Sequence, residues 1–266
     1  MRPAFDNPAL VNYPIADFAR DRPITISELD ASGLTLSRDE VHLWHVALDE
    51  HAVESLQPLL NSDESVRANR FHFARDRNHF TVARAVLRKL LSAYLRINAA
   101  EVMLSYGEMG KPFLDGHSDD ISFNLAHSGG GALYAFSRGR DLGVDLERIR
   151  EDFAGDDIAR RFFSTSEVEA LEALPAESQA EAFFNCWTRK EAYIKARGEG
   201  LSMPLNCFDV SVAPEEPAAL LKNYTDASEV ARWAMRSIPV AHGFVAAMVV
   251  EGHDWELKTF TLLPDS

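Results

Sequence analysis

Cysteine is scarce in this 266-residue chain, which has only Cys186 and Cys207. Two thiols are too few for a disulfide scaffold or a cysteine-built metal cluster. Long apolar runs are missing too: no stretch approaches the roughly eighteen consecutive apolar residues that a membrane span needs. Basic residues are outnumbered, 27 Lys and Arg against 41 Asp and Glu, for a formal net charge of -14. That balance excludes the broad cationic footprint of bulk nucleic-acid binding. The N-terminal stretch with Pro3, Asp6, Asn7 and Pro8 lacks the basic and apolar regions of a secretory signal. These absences lead us to expect a cytoplasmic protein with reduced thiols and neither membrane nor nucleic acid as partner.

What is present is globular, with 46% hydrophobic and 26% charged residues in a chain long enough for one large domain or two ordinary halves. The charge is unevenly placed. Residues 28–64 hold nine acids against Arg38 alone, while residues 67–96 hold eight bases against Asp76 alone. Two solvated helix faces would account for this. So would a local anion site suited to a polyphosphate or an acidic partner.

Residues 1–38 read as an N-terminal extension, packing on the body through Ile24, Ile26 and Leu29. Val41–Leu48 alternates as a strand, Asp49–Leu60 is a helix candidate stopped near Pro58, and Ser62 is placed to cap the next helix. The helical pattern then runs to Tyr94 with a break near Phe73–Asp76. The arginines at 70, 77, 84 and 88 fall near one face if the helix is unbroken. Strands follow at 102–106, 121–126, 132–137 and 142–146, with His127 and Gly129–Gly131 expected at a hairpin tip. A helix at Glu177–Arg197 and strands at 208–210, 231–238, 241–250 and 255–262 complete the chain. Strand, long helix and strands thus occur twice, which predicts an α+β fold (mixed α/β). It would be a pseudo-two-fold duplication of a strand–long helix–antiparallel sheet unit. The expected halves are 39–145 and 146–266, with the ligand site in the cleft between them.

Within this pattern, Gly143-Val144-Asp145-Leu146-Glu147 alternates acids with apolar residues. A strand repeats its side-chain direction every second residue, so Asp145 and Glu147 share a face while Val144 and Leu146 enter a core. Two adjacent acids repel unless a cation lies between them, and magnesium takes such hard oxygen ligands. A solvated strand face is the plainer reading of the pair alone.

Several separated segments narrow the choice. Gly110-Lys111-Pro112, Phe123-Asn124-Leu125-Ala126-His127-Ser128-Gly129, Gly143–Glu147, Arg161-Phe162-Phe163-Ser164 and Trp187-Thr188-Arg189-Lys190-Glu191-Ala192-Tyr193-Ile194-Lys195 stand in one order. Together they resemble the 4'-phosphopantetheinyl transferases, specifically the Sfp-like class with two similar halves in one chain, over roughly residues 41–250. The resemblance implies the fold of that family and a magnesium-dependent holo-[acyl-carrier-protein] synthase activity. In it the 4'-phosphopantetheine arm of coenzyme A passes to a serine of an apo acyl or peptidyl carrier protein, and adenosine 3',5'-bisphosphate is released. A catalytically inactive coenzyme A or carrier-binding module and a magnesium phosphohydrolase are the rival classes.

By the same resemblance Asp145, Glu147 and Glu191 surround the metal, with Asp145, Glu191 and Lys195 in catalysis. Glu191 either binds the ion or takes the serine proton. Arg67, Arg77, Lys111, His127 and Lys195 are implied as coenzyme A contacts, with His79 the alternative to Arg77. Glu191 and Lys195, four apart on a helix, could instead be an exposed ion pair worth about 0.3–0.5 kcal/mol. Ala126 stands where the family commonly has serine, and Glu64 where relatives often have a base. Trp187 and Phe162-Phe163 read as core or cleft wall. Arg160, Arg161 and Arg189 are candidates for the carrier-docking face. Two halves in one chain make a monomer the default expectation.

Overall fold

Two 22-residue helices, Ala74–Leu95 and Ala176–Arg197, are the longest elements of the computed structural model, which describes residues 22–116, 120–150 and 156–265. The first half contains β1 (Arg22–Thr25), α1 (Ile26–Ser32), β2 (Glu40–Ala47), α2 (Val53–Leu56), α3 (Ser62–Ala68), α4 (Ala74–Leu95), β3 (Leu104–Tyr106), β4 (Pro112–Leu114), β5 (Ile121–Ser128) and β6 (Gly131–Arg138). Then come β7 (Leu142–Arg148), α5 (Asp156–Phe162), α6 (Thr165–Glu172), α7 (Ala176–Arg197), β8 (Phe208–Val210) and β9 (Leu220–Asn223). The chain closes with α8 (Glu229–Arg232), β10 (Trp233–Ser237), β11 (Phe244–Glu251) and β12 (Glu256–Leu263).

Helical periodicity decides how α4 packs. Val82, Ala83, Val86, Leu87, Leu90 and Leu91 are buried against Trp44, Val46, Phe123, Tyr134 and Phe136 of the first sheet. That sheet has the order β1-β12-β2-β6-β5. In the second half α7 covers β10-β11-β7 in the same way, burying Trp187, Ala192 and Ile194 against Val245, Ala247 and Val249. Between the sheets lies a third core, in which Val41, Leu43, Leu133 and Ala135 meet Leu142, Val144, Leu146 and Met248. The layers therefore run helix, sheet, sheet, helix. This is the α+β arrangement of two strand–helix–sheet units that the sequence pattern predicts.

Several local expectations shift. Asn61 rather than Ser62 caps α3: its side chain accepts from Glu64 N at 2.8 Å, and Glu64 Oε2 accepts from Asn61 N at 3.1 Å. Asn61 has extended backbone, whereas Ser62 is already helical. The helix break falls at residues 69–73, just ahead of the expected place, so Arg70 lies in a turn and not on the helix of Arg77, Arg84 and Arg88. Asp49–Leu60 forms only α2 with a 3-10 turn on either side. Residues 229–232 coil into α8, which shortens the strand expected from Ala231. His127 lies near the end of β5, with Gly129 and Gly130 making the turn at positive φ of 56° and 86°.

The extension is anchored: β1 pairs in parallel with β12, and Leu29 and Ile24 are buried. Residues 1–21, which include the proline-bearing lead-in, lie outside the described residues. β12 pairs in parallel with β2, so residues 256–263 sit in the sheet of the first half although the sequence boundary assigns them to the second. The division drawn between residues 145 and 146 falls inside β7.

Buried polar groups tie this sheet to α4. Trp44 Nε1 donates to Tyr94 Oη (2.9 Å), so the Tyr94 hydrogen is available to His42 Nδ1 (2.8 Å), and His42 Nε2 faces Glu40 (3.2 Å). That pattern needs neutral His42. Burial lowers the His42 pKa against the opposing pull of Glu40, and burial pushes His51 from 6.5 down to about 4. Both groups resist protonation when folded and accept it when unfolded, so their contribution is complete above the unfolded value and disappears as pH falls through the folded one. Urea midpoints should therefore drop as pH falls from 6.5 toward 4, with His51 accounting for about 3 kcal/mol at the acid end. His51→Gln should flatten that decline; an unchanged acid slope would count against the assignment.

Candidate active site

The site begins with the alternation of β7. In its register with β11, Gly143, Asp145 and Glu147 lie opposite Val249, Ala247 and Val245, which belong to the core beneath α7. Leu142, Val144 and Leu146 point into the core between the sheets. Both acids therefore face α7, as the two-residue period predicts. Gly143 lets the helix approach: a Cβ there would stand 2.2 Å from the Ala192 carbonyl oxygen and 2.4 Å from the Ala196 nitrogen. No larger residue fits that contact without displacing backbone.

On α7 the motif lysines take different directions. Lys190 is fully buried, with Nζ 2.8 Å from Glu167 and donating to the carbonyls of Leu205 and Phe208, both at 2.7 Å. Lys195 turns toward β7, its Nζ 2.6 Å from Asp145 Oδ1 and 3.0 Å from the Val144 carbonyl oxygen. The alternative of an exposed Glu191–Lys195 pair is thereby replaced by a cross-element pair, with Asp145 itself wholly buried. Glu191 is also buried, on the face of α7 that reaches the cleft. Ser128 Oγ donates to Glu147 Oε2 at 3.1 Å and accepts from Arg148 N at 3.2 Å.

The cleft between the halves has a volume of ≈ 510 Å³, and Arg67, Arg84, Lys111, His127, Glu191 and Lys195 all line it. Lys111 aims its ammonium at three carbonyls, a placement different from the phosphate contact expected of it. Burial, together with the Lys195 charge, lowers its pKa, and Asp141 opposes the shift. Arg77 lies on the first turns of α4 outside the cleft lining. His79, its alternative, bonds Asp49 at 2.7 Å. Glu64 is no part of an anion site: it is buried with Arg88, Oε2 to Nε 2.7 Å. Arg189 is buried and donates to the Ser211 carbonyl at 2.8 Å, which removes it from any docking face. Trp187 and Phe163 are core residues, Phe163 stacking on Phe183 at 5.2 Å.

Two residues beside the cleft escaped sequence reasoning. Asn124 Oδ1 accepts from Val144 N at 2.9 Å, joining β5 to β7, and Ser128 holds Glu147. Their even spacing on one strand face, 124 to 128, was the available signal. Arg84 is buried with its guanidinium over the Phe80 and Tyr106 rings, 5.6 and 5.5 Å from their centroids. Nothing in the helix period separates it from Arg88.

The carboxylates of Asp145, Glu147 and Glu191 are a hard-oxygen donor set, the chemistry magnesium takes. Their side chains are not drawn into a ligand cluster: among the described residues no group of three His, Cys, Asp or Glu is arranged to hold an ion.

Residues 44–137 match the family described as 4'-phosphopantetheinyl transferase, N-terminal, and residues 141–249 match the 4'-phosphopantetheinyl transferase superfamily. The 4'-phosphopantetheinyl transferase HetI of a Nostoc species is 38% identical over 229 residues, 85% of this chain and 93% of that protein. The chain belongs to the 4'-phosphopantetheinyl transferase superfamily. It has the single-chain, two-unit architecture of the Sfp-like transferases. Sfp of Bacillus subtilis is 29% identical over 163 residues, 61% of this chain and 71% of that protein. Human L-aminoadipate-semialdehyde dehydrogenase-phosphopantetheinyl transferase is 30% identical over 213 residues, 73% of this chain and 67% of that protein. The two family matches meet at residues 137–141, between β6 and β7, where the chain passes from one transferase unit to the other.

The Gly143 contact yields a direct expectation for this transferase fold. Gly143→Ala should destabilise the protein by about 3 kcal/mol or more, since backbone atoms and not a flexible side chain must move. Thermal unfolding measures it, and a melting temperature within a degree of the parent would refute the tight β7–α7 contact.

Proposed function

We propose that this chain transfers the 4'-phosphopantetheine arm of coenzyme A to a serine hydroxyl of an apo acyl or peptidyl carrier protein. Family membership supports phosphopantetheinyl transfer as the general chemistry. The observation that carries the specific reading is the Lys195–Asp145 pair, with Glu147 on the same strand face and Glu191 one helical turn before Lys195 in the cleft wall.

In the reaction, the serine oxygen forms a new bond to the phosphorus bearing pantetheine. The bond from that phosphorus to the bridging pyrophosphate oxygen breaks, and adenosine 3',5'-bisphosphate leaves. Asp145, Glu147 and Glu191 would hold magnesium, whose chemistry here is to offset the charge of the pyrophosphate. Lys195 supplies a cation beside those acids and can donate to a phosphate oxygen. Glu191 has two compatible duties, as a ligand or as acceptor of the serine proton. His127 and Arg67 offer donors for the 3'-phosphate, with Arg77 at the outer edge. Arg84, with its buried guanidinium against the same wall, adds positive potential to the anion end. Lys111 stands in the wall as well.

The reading includes action as a monomer and a cytoplasmic location. Among the described residues no helix is long and apolar enough to cross a membrane.

Incubation with coenzyme A, magnesium and a panel of apo-carriers, read by intact mass, tests the reaction. A carrier gaining one phosphopantetheine is expected; release of adenosine 3',5'-bisphosphate without a carrier would mark a hydrolase instead. Asp145→Ala and Glu191→Gln should each lower labelling at least about a hundred-fold, in the range for loss of acid–base or charge-stabilising groups. Chelation with EDTA should stop labelling, and added magnesium should restore it. Undiminished labelling by Asp145→Ala would sink the proposed metal set.

A further inference from the structure

The turn between β3 and β4 reaches from the first half to the second. Gly107 N donates to the Lys111 carbonyl at 2.9 Å and Gly110 takes φ 80°, so the turn closes on itself and directs Lys111 inward. The Lys111 ammonium donates to the carbonyls of Lys195 at 2.7 Å, Leu142 at 3.1 Å and Ala196 at 3.5 Å. Lys195 and Ala196 lie in the last turn of α7, where helix carbonyls have no donor within the helix; Gly198 N, at the cap, donates to the Lys195 carbonyl at 3.2 Å. A cation also suits the negative end of the helix. Leu142 is the first residue of β7. Beside this contact Met109 packs on Gly200, whose added Cβ would lie 3.0 Å from Met109 Cβ.

One ammonium thus joins three elements: a turn of the first half, the start of the acid-bearing strand and the end of the helix facing it. An ammonium has three hydrogens, and three carbonyls take them, the Ala196 contact being the longest. Lys195 is held at both ends, its carbonyl by Lys111 and its own Nζ by Asp145 at 2.6 Å.

We propose that Lys111 is a positioning residue: by clasping the Lys195 and Ala196 carbonyls to the start of β7, it sets where Lys195 and Glu191 stand relative to Asp145. This inference rests on the phosphopantetheinyl transfer proposed above, and it replaces a phosphate contact by Lys111 with an action exerted through Lys195. The Gly-Lys-Pro turn becomes the clasp between the halves.

Steady-state labelling of an apo acyl carrier protein separates the two roles, using the parent, Lys111→Met, Lys111→Gln, Lys195→Ala and the Lys111→Met/Lys195→Ala pair. Lys111→Met should lower kcat about ten- to a hundred-fold, the scale of a small misplacement, with KM for coenzyme A within about two-fold. Lys111→Gln, which keeps donors for carbonyls, should recover part of kcat. The double variant should lose clearly less than the product of the two single losses, because part of what Lys111 does is exerted through Lys195. A raised KM with kcat intact, or fully additive losses, overturns the proposal. Should Lys111→Met fail to fold, Lys111→Gln decides alone: reduced kcat at unchanged KM supports the clasp, and raised KM defeats it. If the parent labels no carrier, the transfer reading fails, and the clasp is judged by hydrogen exchange in the parent and Lys111→Gln. Faster exchange of the Gly198 amide and the end of α7 in the variant supports it, and unchanged exchange refutes it.

Discussion

The close approach of α7 to β7 is the constraint on which the site depends. It is possible because Gly143 has no side chain where the backbone of Ala192 and Ala196 passes. With the helix that near, a four-carbon lysine stem at position 195 reaches Asp145. A carboxylate as deeply buried as Asp145 would be strongly disfavoured without such a partner, since burial penalises an isolated charge. Glycine, acid and lysine therefore form one packing solution.

That solution is stabilised from outside the second half. Asn124 of β5 takes the Val144 amide, Ser128 takes Glu147, and Lys111 takes carbonyls at the ends of β7 and α7. Each tie comes from the first half. The first sheet is in turn completed by β12, a strand from the far end of the chain. Two units joined by a strand that crosses from the second half into the first sheet, and by several buried or partly buried hydrogen bonds, have little freedom to slide, so the cleft walls are set by the cores behind them.

The same layout explains how basic residues are used in an acidic protein. Arg88 neutralises Glu64 in the first core, Lys190 neutralises Glu167 in the second, and Arg189 satisfies the Ser211 carbonyl. Arg67, Arg84 and Lys195 reach the cleft. The excess of bases over residues 67–96 is thus divided between structural pairing and one wall of the cleft, and it does not form a continuous cationic face.

Much of this was legible in the sequence. The period of two in Gly143–Glu147 put both acids on one face, and the three-and-four spacing of apolar residues located both long helices, because these periods follow from local backbone geometry. Order of elements also fixed the duplicated α+β plan. Which donor satisfies which acceptor was not legible. Asn61 instead of Ser62 as a cap, Asp145 instead of Glu191 as the Lys195 partner, and carbonyls instead of phosphate near Lys111 all depend on where the chain returns in space. The insertion of β12 between β1 and β2 is likewise a parallel pairing across more than two hundred residues, which no local pattern encodes. The sequence by itself determined which residue types could build a metal- and phosphate-binding site and on which faces of their own elements they stand. Only the tertiary structure decided which of them meet, because hydrogen bonds between distant segments form where packing brings the backbones together and not where the sequence places the letters.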